Sequence, residues 1–345
     1  MAKRKLTRQQ AWRIKKVQDE RSKRAEQRDQ KAEQALSEGD LGPEQQGRIV
    51  SHFGVQVDVE PHPYTPDEHR IIRCHKRSNL GDIVTGDIVV WRENTDDTGV
   101  IVAVNDRNNQ LSRPGFRGEM KLIAANIDQI MVVIAPEPEP FQGLVDRYFI
   151  AAEHWGITPT LVINKADLLE DSPYKSRLNE LHTLYTGLGY DVITASTHSD
   201  AGMNELHQAL KSKTSAFLGQ SGVGKSSLIN TLLPGSDILT GQLSESTRKG
   251  KHTTTTARIY HFPTGGDLID SPGIRELSLT NLTKEAILEG FKELHPYIGN
   301  CKFRNCNHQS EPGCAIRGAH EEGHISDERF NSLWRIIDSL EESSF

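Results

Sequence analysis

The chain has 345 residues and a formal net charge of −6, with 35% of its residues apolar and 26% charged. That length calls for two or three domains, and no apolar run reaches the roughly 20 residues that a membrane span needs. Four cysteines in a chain of this size do not suggest a disulfide scaffold, and Met1–Lys5 run into charge instead of an apolar stretch, so a cytoplasmic protein without a membrane partner is expected.

The charge is uneven. Residues 1–31 hold twelve Lys or Arg against four acids, so this arm carries +8 and the remainder −14. Residues 1–46 offer only Leu6, Trp12, Ile14 and Val17 as an apolar face, too little to offset the entropy of ordering. They read as a basic arm, disordered alone, that orders on a polyanion such as RNA or simply solubilises the chain.

Residues 47–117 change texture to short β-type runs: Arg48–Phe53, Val55–Val59, Arg70–Cys74, Asp87–Trp91 and Gly99–Val104. Five short strands with no helix between them predict a small barrel of the oligonucleotide-binding (OB) type. Arg70, Arg73, His75, Lys76, Arg77, Arg107, Arg113 and Arg117 would give it an RNA-facing surface, against the plainer reading of scattered surface charge. Cys74 stands alone and reads as a small buried hydrophobe.

Residues 118–282 alternate strand and helix: a strand at Ile127–Ile134, a helix from Gln142 to His154, a strand at Thr160–Ile163, a polar helix from Tyr174 to Thr186, a strand at Asp191–Thr194, and a helix from Met203 to Leu210. Such alternation predicts a doubly wound α/β sheet. Asn164-Lys165-Ala166-Asp167 stands at the carboxyl end of one strand, where open α/β sheets bind ligands. A carboxylate at Asp167 can accept both N–H donors of guanine's pairing edge, whereas adenine would leave it unpaired. The Lys165 stem can lie on the base, Asn164 can tie the segment to a phosphate loop, and the backbone around Ala195 in Thr194–Ser196 can meet the base carbonyl.

That phosphate loop follows. After the apolar strand Thr214–Leu218, the run Gly219-Gln220-Ser221-Gly222-Val223-Gly224-Lys225-Ser226, with Ser227 next, opens a helix. Its backbone N–H groups and positive helix end suit phosphates, Lys225 the outer phosphates, and the Ser226 hydroxyl Mg²⁺. Downstream, Lys251-His252-Thr253-Thr254-Thr255-Thr256 closes a polar loop long enough to be a switch, with Thr254, then Thr253, the candidate second Mg²⁺ ligand. A hairpin from Arg258 to Ile269 delivers Asp270-Ser271-Pro272-Gly273; Asp270 can hold a magnesium water and the Gly273 N–H can contact the γ-phosphate. The site is therefore expected to bind GTP with Mg²⁺ and to hydrolyse it to GDP. Ile274 stands where many GTPases place a water-orienting Gln, so hydrolysis should be slow unaided, with His252 either the residue a partner swings toward the water or a structural loop histidine. The base tetrad precedes the phosphate loop, the reverse of the familiar small-GTPase order; a circular permutation keeps the sheet and moves the termini.

In residues 283–345, Cys301, Cys306, His308 and Cys314 lie within fourteen residues between helices expected at Lys284–Leu294 and Asp327–Leu340. Three thiols and one imidazole form a closed tetrahedral set, so the expected metal is one structural Zn²⁺.

Basic arm, barrel, permuted motifs and knuckle in this order closely resemble the bacterial ribosome small-subunit-dependent GTPase family (RsgA, also called YjeQ), over the whole length. The resemblance implies a GTPase acting late in maturation of the small ribosomal subunit, stimulated by that subunit and binding its rRNA; a monomer is expected. The competing expectations are a permuted GTPase of the large subunit and an RNA-binding module that holds GTP without turnover.

Overall fold

The computed structural model describes residues 41–54, 56–68, 70–114, 119–199, 202–235, 257–271, 274 and 282–342. Most of the basic arm, Arg117, the expected switch with His252, Thr253 and Thr254, and Gly273 lie outside the described residues. The chain divides into two compact units, residues 1–107 and 108–345.

In the first unit, β1 (Glu44–Phe53), β2 (Gln56–Pro61), β3 (Ile72–Lys76), β4 (Ile88–Glu93) and β5 (Gly99–Val104) form a closed barrel. β1 pairs antiparallel with both β2 and β4, β2 with β3, and β4 with β5, while β3 and β5 run parallel and complete the ring. Closure leaves no unpaired strand edge. Alternate residues point inward, so Ile49, Val57, Val59, Ile72, Cys74, Val89, Trp91 and Ile101 fill the interior and Cys74 is the buried hydrophobe expected. Two ion pairs staple the wall, the first buried and the second partly so. Arg48 donates to Glu60 across β1 and β2 at 2.8 Å, and Arg107 forks onto Asp87, whose carboxylate also accepts the Val84 N–H at 2.8 Å.

The second unit begins with a hairpin, β6 (Gln110–Pro114) and β7 (Met120–Ala125), which composition did not announce because its strands lack an apolar alternation. The α/β layer follows: β8 (Gln129–Ile134), α1 (Gln142–His154), β9 (Thr158–Ile163), α2 (Lys175–Gly187), β10 (Val192–Thr194), α3 (Met203–Leu210), β11 (Thr214–Leu218), α4 (Lys225–Leu232), β12 (Arg258–His261) and β13 (Asp267–Asp270). Pairing gives the order β10-β9-β8-β11-β13-β12, parallel except where β12 turns back on β13. β8 and β11 are buried at every residue, as central parallel strands must be. Leu206 and Leu210 of α3 and Leu228, Ile229 and Leu232 of α4 cover one face over Met131, Val133, Val162 and Phe217. α1 packs on β8 and β9 through residues outside that cluster, so the sheet is covered on both sides.

A helical segment completes the unit with α5 (Lys284–Gly290), α6 (Ala315–Glu321) and α7 (Asp327–Glu342). α5 starts where expected because Thr283 caps it, accepting the Ala286 N–H at 3.2 Å. This segment shares a core with α1: Ile150 and Ala151 pack with Ile287, Phe291, Ile316, Leu333, Ile336 and Ile337. Beside it Arg329, 3% exposed, donates to Asp146 of α1 and forks onto Glu293, while the Tyr185 hydroxyl of α2 donates to the same Asp146.

Candidate nucleotide site and metal knuckle

β11 ends at Leu218, and the chain turns at once into the glycine loop. Gly219 has φ +140° and a Cβ there would fall 2.1 Å from the Val133 carbonyl oxygen, so only glycine lets the loop leave between β8 and β11. Gly224, at φ +91°, ends the loop in the left-handed region as the residue before α4. No side chain caps α4, and its positive end faces the glycine loop, the place where helices bind anions. The Lys225 ammonium folds back to donate to the carbonyls of Gly219 and Gln220 at 2.7 and 2.6 Å. Ser226 sits one residue into the helix with Ser227 behind it.

The base tetrad meets this loop across the sheet, 59 residues away in sequence. Asn164, 1% exposed, donates from Nδ2 to the Val223 carbonyl at 2.8 Å, and a Cβ on Gly224 would lie 2.4 Å from that same Nδ2. Its Oδ1 is buried without a partner among the described residues. Lys165 takes φ +58° and donates to the Glu137 carbonyl at 2.9 Å, bringing in the loop after β8. Asp167 is exposed, and its carboxylate accepts the Ser196 hydroxyl, which holds its pKa below the usual carboxylate range. Ser196 is fully buried and also accepts the His198 N–H at 3.1 Å. The backbone of Ala195 departs from expectation. Its N–H donates to Ile163 and its carbonyl accepts the Ala166 N–H, at 2.9 and 3.1 Å, because β10 here continues its ladder with β9. Ala195 therefore has no N–H to offer a base carbonyl; what this segment supplies is the Ser196 hydroxyl that orients Asp167. Sequence reasoning had the segment but not that role, since hydroxyl direction is not legible in a three-residue run.

On the other side of the loop, β13 runs parallel to β11 and delivers Asp270, which with Ser271 and Ile274 lines the cavity that also contains Lys225. Ile274 is 2% exposed, turned into the apolar lining with Phe217 and Leu268, as its side chain dictates. The candidates His252, Thr254 and Gly273 are outside the described residues.

The C-terminal cluster is compact. The ligand atoms of Cys301, Cys306, His308 and Cys314 all lie within 4.8 Å of one another. His308 Nδ1 is 3.4 Å from both Cys301 Sγ and Cys314 Sγ, and those two sulfurs are 3.9 Å apart. A tetrahedral Zn²⁺ with bonds of about 2.3 Å to sulfur and about 2.1 Å to nitrogen requires separations of roughly 3.8 and 3.6 Å. The residues fit that ion. Desolvation and neighbouring thiols push the Cys306 thiol up to about 11, and burial lowers the His308 pKa, so a bound cation would be needed to ionise the one while the other is already in its ligating form. The Ala315 N–H, at the start of α6, donates to Cys301 Sγ at 3.4 Å. His295 is not part of the set; its ring lies 2.6 Å from the Glu289 carbonyl.

The barrel's basic residues are less available than their number suggests. Arg70 forks onto Glu93 at 2.9 Å, Arg73 pairs with Asp58, and Arg107 is the staple on Asp87. Lys76 donates to the Gly81 carbonyl, and His75 lies 3.5 Å from Gln56 Nε2. Arg73 stays 46% exposed and lies over the ring of Phe53, itself 48% exposed, at 4.8 Å.

A phosphate loop on the central strand of a doubly wound sheet, tied by one hydrogen bond to a guanine-type tetrad that precedes it in the chain, defines a circularly permuted GTPase with an OB-type barrel before it and a metal knuckle after it. The RsgA GTPase family model matches residues 104–280. Curated relatives from Hahella chejuensis and Pseudomonas aeruginosa, each called a small ribosomal subunit biogenesis GTPase RsgA, are 51% and 50% identical, covering 99% and 100% of this chain and 98% and 100% of theirs. Among solved structures, YjeQ from Thermotoga maritima superposes with a TM-score of 0.72 at 32% identity over 86% of this chain and 99% of its own. YloQ, described as a circularly permuted GTPase, gives 0.70 at 27% identity over 87% of this chain and 96% of its own. The chain belongs to the RsgA GTPase family and is a hydrolase of GTP.

Proposed function

We propose that the chain works in small ribosomal subunit biogenesis, as a GTPase whose turnover the small subunit stimulates. The observation that carries this is the complete permuted nucleotide site joined to a barrel and a knuckle in one chain, with half of all residues shared end to end with relatives so named. In this reading residues 1–46 are an rRNA-binding arm, 47–117 the RNA-binding barrel, 118–282 the GTPase domain and 283–345 the zinc-binding helical domain. The protein acts as a monomer in the cytoplasm; no helix among the described residues is long and apolar enough to cross a membrane.

At the nucleotide, Asp167 accepts the guanine N–H donors with Ser196 holding it, Lys165 covers the base, and Asn164 keeps the tetrad in register with the loop. The N–H groups of Gly219–Ser227 and the positive end of α4 bind the phosphates, and Lys225 exchanges its two carbonyl partners for phosphate oxygens. Ser226 and Thr254 would ligate Mg²⁺, with Asp270 on one of its waters; when bound, the ion neutralises charge developing between the β- and γ-phosphates. Ile274 cannot orient the attacking water, so His252 is assigned that task on the ribosome, with Gly273 sensing the γ-phosphate. Cys301, Cys306, His308 and Cys314 hold one structural Zn²⁺. On the barrel, the Phe53 ring under Arg73 is an exposed stacking platform suited to RNA bases.

GTP turnover measured alone, with purified small subunits and with purified large subunits tests the proposal. Stimulation by small subunits is expected; stimulation only by large subunits, or no turnover in any arm, would refute it. His252→Ala should keep unstimulated turnover and lose the stimulated part.

A further inference from the structure

The knuckle contains a carboxylate that is not among its ligands. Glu311 accepts the backbone N–H of Asn307 on Oε1 at 2.9 Å, and those of Gln309 and Ser310 on Oε2 at 3.1 Å each. From α5, the Lys284 ammonium donates to the Asn307 carbonyl at 2.7 Å. These contacts fall on successive peptide planes. The plane between Cys306 and Asn307 is held by Glu311, the plane between Asn307 and His308 by Lys284, and the plane between His308 and Gln309 by Glu311 again.

His308 lies between two held planes, and it sits at φ +62°, a left-handed conformation that a residue with a Cβ rarely adopts. Because φ and ψ are the rotations between those planes, fixing both planes fixes the backbone that aims Nδ1 at Cys301 Sγ and Cys314 Sγ. The plane held before them carries the other ligand of the segment, Cys306. Glu311 itself stays ionised, its pKa drawn down to about 2 by the backbone N–H groups it accepts.

We infer that Glu311 is the positioning residue of the knuckle: it preorganises the Cys306–His308 segment so that its two ligands meet the metal without reorganisation. This rests on reading the cluster as a Zn²⁺ site. Partners of this kind, which orient ligands without touching the ion, are worth about 10–100-fold in metal affinity.

The test uses the full chain and its E311A and E311Q variants. Zn²⁺ affinity is read by competition with a chromophoric chelator, ligand geometry by the visible bands of the Co²⁺-substituted protein, and integrity of the rest of the molecule by GTP binding. E311A is expected to bind Zn²⁺ about 10–100-fold more weakly, with altered Co²⁺ bands and unchanged GTP affinity. E311Q keeps an acceptor oxygen but loses the second and should fall between E311A and the parent; it decides the matter if E311A does not fold. Parent-like Zn²⁺ affinity and Co²⁺ bands in both variants would overturn the role of Glu311 while leaving the metal site standing. A parent chain that takes up neither ion would overturn the metal site, and this inference with it.

Discussion

Ser196 donates its hydroxyl to Asp167 and accepts the His198 N–H, so in the proposed reading the carboxylate is oriented before the base arrives. Replacing Asp167 by Asn exchanges two acceptor sites for one acceptor and one donor. Asp167→Asn should weaken GTP binding by about 1.5–3 kcal/mol, roughly ten- to a hundredfold, and raise affinity for XTP; competition binding with both nucleotides checks it. The pH dependence carries a sign. Asp167 must be ionised to accept, so binding holds above its pKa and fades as pH falls through it. Without the hydroxyl the pKa returns toward the ordinary carboxylate range, so in Ser196→Ala the acid limb of GTP affinity should move to higher pH, seen in a pH series of dissociation constants. Gly224→Ala places a methyl 2.4 Å from Asn164 Nδ2 in a left-handed backbone. It should abolish nucleotide binding while the far-UV circular dichroism stays that of the parent.

Between elements, the decisive contact is Arg329 of α7 against Asp146 of α1, with Glu293 and Tyr185 completing the cluster. Asp146 is fully buried, and burying a charge is tolerable only when it is paired and hydrogen-bonded. α1 follows the loop that Lys165 contacts, and α2 follows the tetrad, so the helical segment is docked on the two helices that follow β8 and β9. Arg329→Met leaves Asp146 uncompensated and should cost about 3–5 kcal/mol of stability. Urea unfolding followed by tryptophan fluorescence reads this, since Trp155 and Trp334 pack against that core, and adding Asp146→Asn should recover part of the loss.

Across the molecule, the knuckle and the nucleotide site sit on different parts of one unit, so in the proposed reading the Zn²⁺ serves only the first. Stripping Zn²⁺ with a chelator selective for it, in excess Mg²⁺, should therefore leave GTP affinity intact while reducing stimulation by small subunits, in a turnover assay repeated after Zn²⁺ is restored. Each piece of chemistry that a short run of backbone carries could be read before the chain was folded. The glycine loop, the Asn164–Asp167 tetrad, the Cys-Cys-His-Cys set, the five barrel strands and the permuted order were all legible, because turn geometry, ligand spacing and period-two alternation are local. Which charges are partners emerged only with the fold. By spacing alone Arg107 in the barrel reads as an RNA contact, but the fold puts Asp87 beside it, and Arg329 finds Asp146 across 183 residues. Neither the Ser196 grip on Asp167 nor the closed backbone of Ala195 follows from spacing. The reason is that attraction between charges and the cost of burying them depend on distance in space and on exclusion of water, and neither quantity exists until the chain has packed.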